Sequence, residues 1–236
     1  MICPACRKPY FFIDESDASA ARCLRCGQSS PFVQPAYDNY HEELYTRKKY
    51  LRNRATDPQM RRILSSLRIA RGEKVLDIGC GIGDYTREIA ALTPDVTGLD
   101  LNVDSARGIS PELSFCEYDC NQPLPFAADS VDVVVSVNLI EHLEHHERFI
   151  DECTRVLKRG GRIALTTANL DFFLHDRFFD RTHVHEWTLP QFGRLLEKRY
   201  ETRRLEKSSG MFKWYPFNVL TTVFLKPDLL FVGTRK

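Results

Sequence analysis

An aliphatic run leads into three alternating glycines in the stretch Val75-Leu76-Asp77-Ile78-Gly79-Cys80-Gly81-Ile82-Gly83-Asp84-Tyr85-Thr86. The aliphatic part predicts a buried strand, and the glycines predict a sharp turn that leads into a helix. Glycine suits such a turn because a ligand approaches the backbone closely, where a Cβ atom would clash with it. The stretch therefore indicates a nucleotide-type cofactor site at the end of a strand.

The residues around this turn narrow the choice of cofactor. A second apolar run, residues 95–100, ends in Asp100, whose carboxylate is placed to accept hydrogen bonds from ribose hydroxyls. A dinucleotide-binding loop has a further glycine inside the helix, where this chain has Tyr85 or Thr86. Asp77, just before the glycines, suits a cofactor that carries a cationic amine and a sulfonium instead of a phosphate. These features favour S-adenosylmethionine.

Five motifs occur in an order that resembles the class I S-adenosylmethionine-dependent methyltransferases of the type 11, ubiquinone-biosynthesis-like kind. The resemblance runs from residue 37 to residue 236 and rests on residues 75–86, Asp100, residues 118–120, residues 130–143 and residues 157–165. It implies an α/β fold of three layers, Rossmann-like, with a seven-stranded sheet in the order 3-2-1-4-5-7-6. The last strand is expected to be antiparallel to the others.

The same resemblance implies a set of cofactor-binding residues. Asp77 and the three glycines are expected at the methionine moiety, Asp100 and Leu101 at the ribose and adenine, and Asp119 at the adenine amine. Asn138 is expected in the loop beneath the donor, and Tyr45 either reaches the cofactor or packs its helix onto the sheet. The full set is Tyr45, Asp77, Gly79, Cys80, Gly81, Gly83, Asp100, Leu101, Asp119, Cys120 and Asn138.

Two C-x-x-C pairs stand at the N-terminus, at Cys3 and Cys6 and at Cys23 and Cys26. Their separation is that of a structural Zn²⁺ site with four thiolate ligands. A segment as short as residues 1–36 buries too little apolar surface to fold alone, so a metal would supply the missing stability. We expect a small zinc ribbon over residues 1–36, followed by the methyltransferase domain over residues 37–236; two disulfides are the alternative.

Candidate substrate-side residues follow the fourth and fifth strands. An oxygen nucleophile needs a general base, and His142, His183 and His185 are the candidates. A metal site at His183, His185 and Glu186 is disfavoured because no third ligand is fixed by the spacing. Cys120 as a covalent nucleophile is also disfavoured, because it lies where the adenine-binding segment is expected.

Composition leaves the methyl acceptor open. Lysine plus arginine (33) nearly balances aspartate plus glutamate (32), so overall charge does not indicate nucleic acid. A small-molecule or lipid-like acceptor is favoured by the aromatic loop after the fifth strand, and the apolar residues 211–225 predict a cover for that acceptor, a homodimer contact or a membrane-surface contact. The alternatives are an RNA acceptor held by the zinc ribbon and the basic residues between 47 and 62, and a non-catalytic cofactor-binding partner protein. The sequence shows no secretion signal and no integral membrane segment, which predicts a cytoplasmic location.

Overall fold

The computed structural model describes residues 11–14, 17–23, 29–31, 58–172, 182–208 and 228–236. Near the N-terminus, β1 (Phe11–Asp14), β2 (Asp17–Cys23) and β3 (Ser29–Pro31) form an antiparallel sheet in the order β1-β2-β3. Cys23 ends β2, whereas Cys3, Cys6 and Cys26 lie outside the described residues. The predicted zinc ligands therefore stay a prediction.

The larger part of the chain alternates strands and helices, as the βαβ pattern predicts. Its elements in order are α1 (Pro58–Leu67), β4 (Val75–Ile78), α2 (Asp84–Ala90), β5 (Val96–Asp100), α3 (Asp104–Ile109), β6 (Ser114–Glu117), β7 (Val131–Val137), a 3₁₀ turn (Ile140–His142), α4 (His146–Val156), β8 (Leu157–Ala168), α5 (Leu189–Glu197), β9 (Tyr200–Ser208) and β10 (Asp228–Arg235).

The main sheet has seven strands in the order β6-β5-β4-β7-β8-β10-β9. Counted from β4 as the first strand, this order is 3-2-1-4-5-7-6, which confirms the prediction. Strand β10 runs antiparallel to both of its neighbours, β8 and β9, and the other pairs are parallel. The order reverses between β4 and β7, so a crevice opens at the carboxyl ends of these strands, where ligands bind in sheets of this kind.

Helices cover both faces of the sheet and make three layers. On one face, α1 and α2 pack Ile63 and Ile89 against Val75 and Val133. On the other face, α4 and α5 pack against alternate residues of the same strands, including Leu76. Because successive side chains of a strand point to opposite faces, a run of apolar residues such as 133–135 can serve both cores at once.

Local signals set the ends of the elements around the site. Thr188 begins α5 with a capping box, in which its Oγ1 accepts the N–H of Gln191 and the Gln191 side chain accepts the N–H of Thr188. Strands β9 and β10 pair with each other in the antiparallel sense. The expected apolar insertion at residues 211–225 and the expected helix that carries Tyr45 lie outside the described residues. No helix in the described ranges has the length and apolar character that crossing a membrane requires.

Substitution of two glycines, one crowded and one open, tests how tightly the residues around β5 are packed. A Cβ atom at Gly98 in β5 would lie 2.8 Å from Phe115 and 2.9 Å from the Thr86 hydroxyl, whereas one at Gly108 in α3 would meet nothing within 4 Å. We expect Gly98→Ala to lower the free energy of unfolding by about 1–3 kcal/mol. Gly108→Ala should leave it unchanged or slightly higher, because alanine favours a helix. Urea denaturation of both variants measures this, and equal stabilities would contradict it.

Candidate cofactor and substrate site

The glycine loop between β4 and α2 is held in a conformation that glycine adopts most easily. Gly79, Gly81 and Gly83 have φ values of 75°, 54° and 77°, in the left-handed region that other residues rarely adopt. The N–H groups of Gly79 and Cys80 donate to the Leu99 carbonyl at 2.7 and 2.9 Å. The loop is thus tied by its backbone to the end of the neighbouring strand β5.

The structure adds a second reason for two of these glycines. A Cβ atom at Gly79 would lie 2.9 Å from Cβ of Leu139, and one at Gly83 would lie 2.8 Å from Cζ of Phe115. The glycine pattern predicted that a ligand excludes a side chain there. At these two positions, side chains of the protein itself already fill that space.

Asp100 lies at the tip of β5, beside the loop. Its Oδ2 accepts the N–H of Gly81 at 2.8 Å, its Oδ1 accepts the N–H of Asn102 at 3.2 Å, and its relative exposure is only 7%. The next side chain, Leu101, is 47% exposed. A carboxylate that is fixed in place next to an exposed apolar surface suits a ribose with an attached base.

Asp77 lies at the bottom of the site and is buried. The Thr86 hydroxyl donates to its Oδ2 at 2.6 Å. Burial, with smaller contributions from Asp100 and Asp84, raises the pKa of Asp77 to about 7. The carboxyl group is therefore partly protonated near neutral pH, and a cation bound beside it would favour its ionised form.

Cys80, Asp119 and Cys120 lie around the same crevice. The Tyr118 N–H donates to the Asp100 carbonyl at 2.8 Å and so brings residues 118–120 to this edge. Asp119 accepts the backbone and side-chain N–H groups of Asn121 at 2.9 and 3.1 Å. Burial raises the pKa of the Cys80 thiol well above its usual range and that of Cys120 to about 12. Because a nucleophilic cysteine needs a thiolate, these values argue against Cys120 in that role.

Asn138 follows β7 in a left-handed conformation, with φ 52°. Its Oδ1 accepts the Thr166 hydroxyl at 2.6 Å, and its N–H donates to the Thr166 side chain at 3.1 Å. The next residue, Leu139, is the one that lies against Gly79. The loop after β7 therefore forms a wall of the same crevice as the glycine loop.

The structure brings two of the three candidate histidines together. The rings of His142 and His183 lie 4.8 Å apart, edge to face. His142 Nδ1 lies 3.2 Å from the Thr182 carbonyl oxygen, and His183 Nδ1 lies 2.7 Å from Oε1 of Glu186. Glu141, which was not among the predicted site residues, is buried beside this pair. Its signal in the sequence is an acidic residue in an apolar run, directly before His142.

His185 points elsewhere. Its ring lies 4.3 Å from that of His146 and 5.9 Å from that of Trp187, and it is only 4% exposed. Burial, helped by His146, lowers its pKa to about 3, so the ring is neutral. His185 stays a prediction as a catalytic residue, and its surroundings favour a packing role. Tyr45 lies outside the described residues.

The buried Asp77 predicts a pH dependence of stability. Because its pKa is about 7 in the folded chain and about 4 in an unfolded one, the folded state holds a proton in that window that the unfolded state releases. Its contribution to stability should therefore fall as the pH rises from about 4 to 7. We expect Asp77→Asn, which keeps an acceptor for Thr86, to reduce this fall, measured by urea denaturation across the window.

The exposed Asp95 provides the control for this prediction, since Asp95→Asn should leave the pH dependence of the wild type unchanged. The same curve for Asp77→Asn and the wild type would show that burial does not perturb this carboxyl group.

Comparison with known proteins agrees with this geometry. The family model described as "Methyltransferase domain" matches residues 76–165, from β4 to β8. The chain is 34% identical over 136 residues to the ubiquinone/menaquinone biosynthesis C-methyltransferase UbiE of Rhizobium meliloti, which covers 52% of each protein. It is 32% identical over 108 residues to the mitochondrial ubiquinone biosynthesis O-methyltransferase of Mus musculus, covering 42% of this chain and 29% of that protein. The chain thus spans about half, or less, of these two relatives.

A solved structure shows the same fold. A chain of the complex between the Haloferax volcanii Trm112 methyltransferase activator and the putative methyltransferase superposes with a TM-score of 0.65, over 84% of this chain and 93% of that one. The identity is 18%, so this likeness shows the fold alone. We conclude that residues 76–165 are similar to the methyltransferase domain family and that the chain shares the fold of the solved methyltransferase structure.

Proposed function

We propose that the protein transfers a methyl group from S-adenosylmethionine to a small, quinone-like or otherwise lipid-like aromatic acceptor. The observation that carries the proposal is the Asp100 carboxylate, held against the Gly81 N–H at the carboxyl edge of the sheet. The methyltransferase domain over residues 76–165 supports the reaction type. The names of the two relatives, a C- and an O-methyltransferase of ubiquinone biosynthesis, support the acceptor class.

Each part of the donor then has a partner of suitable chemistry. The ribose hydroxyls donate to Asp100, and the adenine lies over the exposed Leu101 and towards Asp119. The methionine part lies along the glycine loop, near the buried Asp77. Its ammonium group lowers the pKa of Asp77 from about 7 and so makes the carboxylate a permanent partner.

Methyl transfer needs little more from the protein than alignment. The acceptor atom attacks the methyl carbon in line with the bond to sulfur, that bond breaks, and the sulfonium becomes a neutral thioether. Holding both reactants at contact distance supplies most of the rate enhancement of such a step. The loop of Asn138 and Leu139, which borders the glycine loop, is placed to hold the acceptor against the donor.

The N-terminal segment adds a second module to the proposal. Three antiparallel strands lie between the two C-x-x-C pairs or next to them. A three-stranded sheet of this size has too small a core to be stable alone. We therefore keep the prediction that Cys3, Cys6, Cys23 and Cys26 bind one structural Zn²⁺ ion in a reducing compartment.

Asp100 gives a direct test of the donor site. We expect Asp100→Asn to weaken the binding of S-adenosylhomocysteine at least tenfold, because a charge-assisted hydrogen bond contributes about 1.5–3 kcal/mol. Asparagine keeps an oxygen acceptor for the Gly81 N–H, so the loop should persist. Isothermal titration calorimetry measures the affinity. The exposed Asp104 in α3 is the matched control, and Asp104→Asn should bind like the wild type.

The reaction itself is tested with a donor that carries a labelled methyl group. We expect label to enter hydroxylated or quinol-type aromatic compounds and not RNA from the same cell extract. No transfer to any fraction, together with tight binding of S-adenosylhomocysteine, would overturn the enzymatic proposal in favour of a cofactor-binding partner protein. Label in RNA would overturn the acceptor class.

The predicted zinc site can be tested by measuring the zinc content of cysteine variants. We expect Cys23→Ser to contain one zinc ion fewer than the wild type, because three thiolates hold the ion much more weakly than four. Mass spectrometry of the metal content checks this. Cys116→Ser, which changes a cysteine in β6, should keep the ion, and equal zinc content in both variants would contradict the prediction.

A further inference from the structure

Three side chains of the types that bind metals lie close together, two in the segment after β7 and one in the segment after β8. One possible ligand atom from each of Glu141, His142 and His183 lies within 4.8 Å of the other two. A tetrahedral ion with bonds of about 2.1 Å would separate its ligands by about 3.4 Å. Small side-chain rotations would therefore bring these three atoms onto one ion.

The surroundings of the Glu141 carboxylate point to a ligand. Its side chain is fully buried, and neither carboxylate oxygen has a hydrogen-bond partner in the described part of the chain. The Thr167 hydroxyl lies near enough to lower the pKa of Glu141, but the hydroxyl and the carboxylate do not form a hydrogen bond with each other. A buried carboxylate with no partner is costly, and native proteins nearly always satisfy such a group. A cation between Glu141 and the two histidines would satisfy it.

The two histidines are held in the way that metal-binding histidines are. His183 Nδ1 lies 2.7 Å from the Glu186 carboxylate, which is itself largely buried, and His142 Nδ1 lies 3.2 Å from the Thr182 carbonyl. Metal-bound histidines almost always use one ring nitrogen for such a carboxylate or carbonyl, which turns the other nitrogen towards the ion.

The backbone fixes the two segments that carry the ligands. The Glu141 carbonyl accepts the N–H groups of Val184 and His185 at 2.8 and 3.2 Å. His183 is therefore held beside the 3₁₀ turn that contains Glu141 and His142, although about forty residues of chain separate them. The site exists before any ion binds, which reduces the cost of ordering the ligands.

We propose that Glu141, His142 and His183 bind one divalent first-row transition-metal ion. Two imidazoles and one carboxylate suit Zn²⁺, Mn²⁺ or Fe²⁺ better than Mg²⁺ or Ca²⁺, which prefer oxygen ligands throughout. The site differs from the group of His183, His185 and Glu186 considered from the sequence: His185 packs against His146, and Glu186 contacts Nδ1 of His183.

A role in the reaction follows if the proposed function holds. Three protein ligands leave open positions on the ion, and the site begins two residues after Leu139, which borders the glycine loop. An ion held by these residues would make a bound acceptor hydroxyl lose its proton to solvent more easily. The oxygen would then attack the methyl carbon of the donor, the carbon–sulfur bond would break, and a methyl ether and S-adenosylhomocysteine would result. The substrate class is thus a hydroxyl compound.

The test counts Mn²⁺ ions on the full chain, because Mn²⁺ prefers oxygen and nitrogen ligands to the thiolates of the predicted zinc ribbon. The wild type is first treated with a chelator that removes metal from nitrogen and oxygen ligands but is too weak to remove zinc from four thiolates. After dialysis against MnCl₂, it should hold one Mn²⁺ per chain by mass spectrometry. Glu141→Gln and His183→Ala should hold none. Bound Mn²⁺ should also raise the melting temperature of the wild type by several degrees, but not that of Glu141→Gln, which keeps the shape of the side chain.

Neighbouring residues provide matched controls. Glu144→Gln and His145→Gln change the same residue types just outside the cluster and should bind Mn²⁺ like the wild type. Equal Mn²⁺ content in the wild type, Glu141→Gln and His183→Ala, with all three folded, would overturn the site. S-adenosylhomocysteine binding, measured on the same samples, tests the donor site separately. A chain that binds Mn²⁺ but transfers no methyl group would keep the metal site and lose the proposed function.

Discussion

The donor side of the site depends on one hydrogen bond, from the Gly81 N–H to the Asp100 carboxylate at 2.8 Å. It joins the glycine loop after β4 to the end of β5, and the two N–H groups that donate to the Leu99 carbonyl hold the same pair of elements. The carboxylate that would receive the ribose is therefore in place before a cofactor arrives. A site that is ordered in advance loses less entropy when it binds its ligand.

The glycine loop is also a packing surface. Leu139 fills the space beside Gly79, and Phe115 fills the space beside Gly83. Through Leu139, the loop contacts the segment that continues into Glu141 and His142. The donor site and the proposed metal site thus share a wall, which suits two reactants that must meet at contact distance.

Sequence and structure differ most at the histidines. His142, His183 and His185 were each predicted as substrate-side candidates, and the structure places only the first two together. His183 and His185 are separated by one residue, and the loop turns them into different surroundings, Glu186 for one and the His146 ring for the other. Spacing along a loop does not determine which way each side chain points, because loops lack a fixed period.

The sequence by itself determined the glycine turn and the carboxylate at the tip of β5, because each depends on a local pattern of apolar residues, glycines and one acid. The strand order was implied by the resemblance to the methyltransferases. Only the tertiary structure decided that Leu139 and Phe115 fill the space beside two glycines and that Glu141 faces His142 and His183. Apart from the neighbours Glu141 and His142, these contacts join residues that lie far apart in the chain. They arise because strands β4, β6, β7 and β8 lie in one sheet and bring the segments at their ends together.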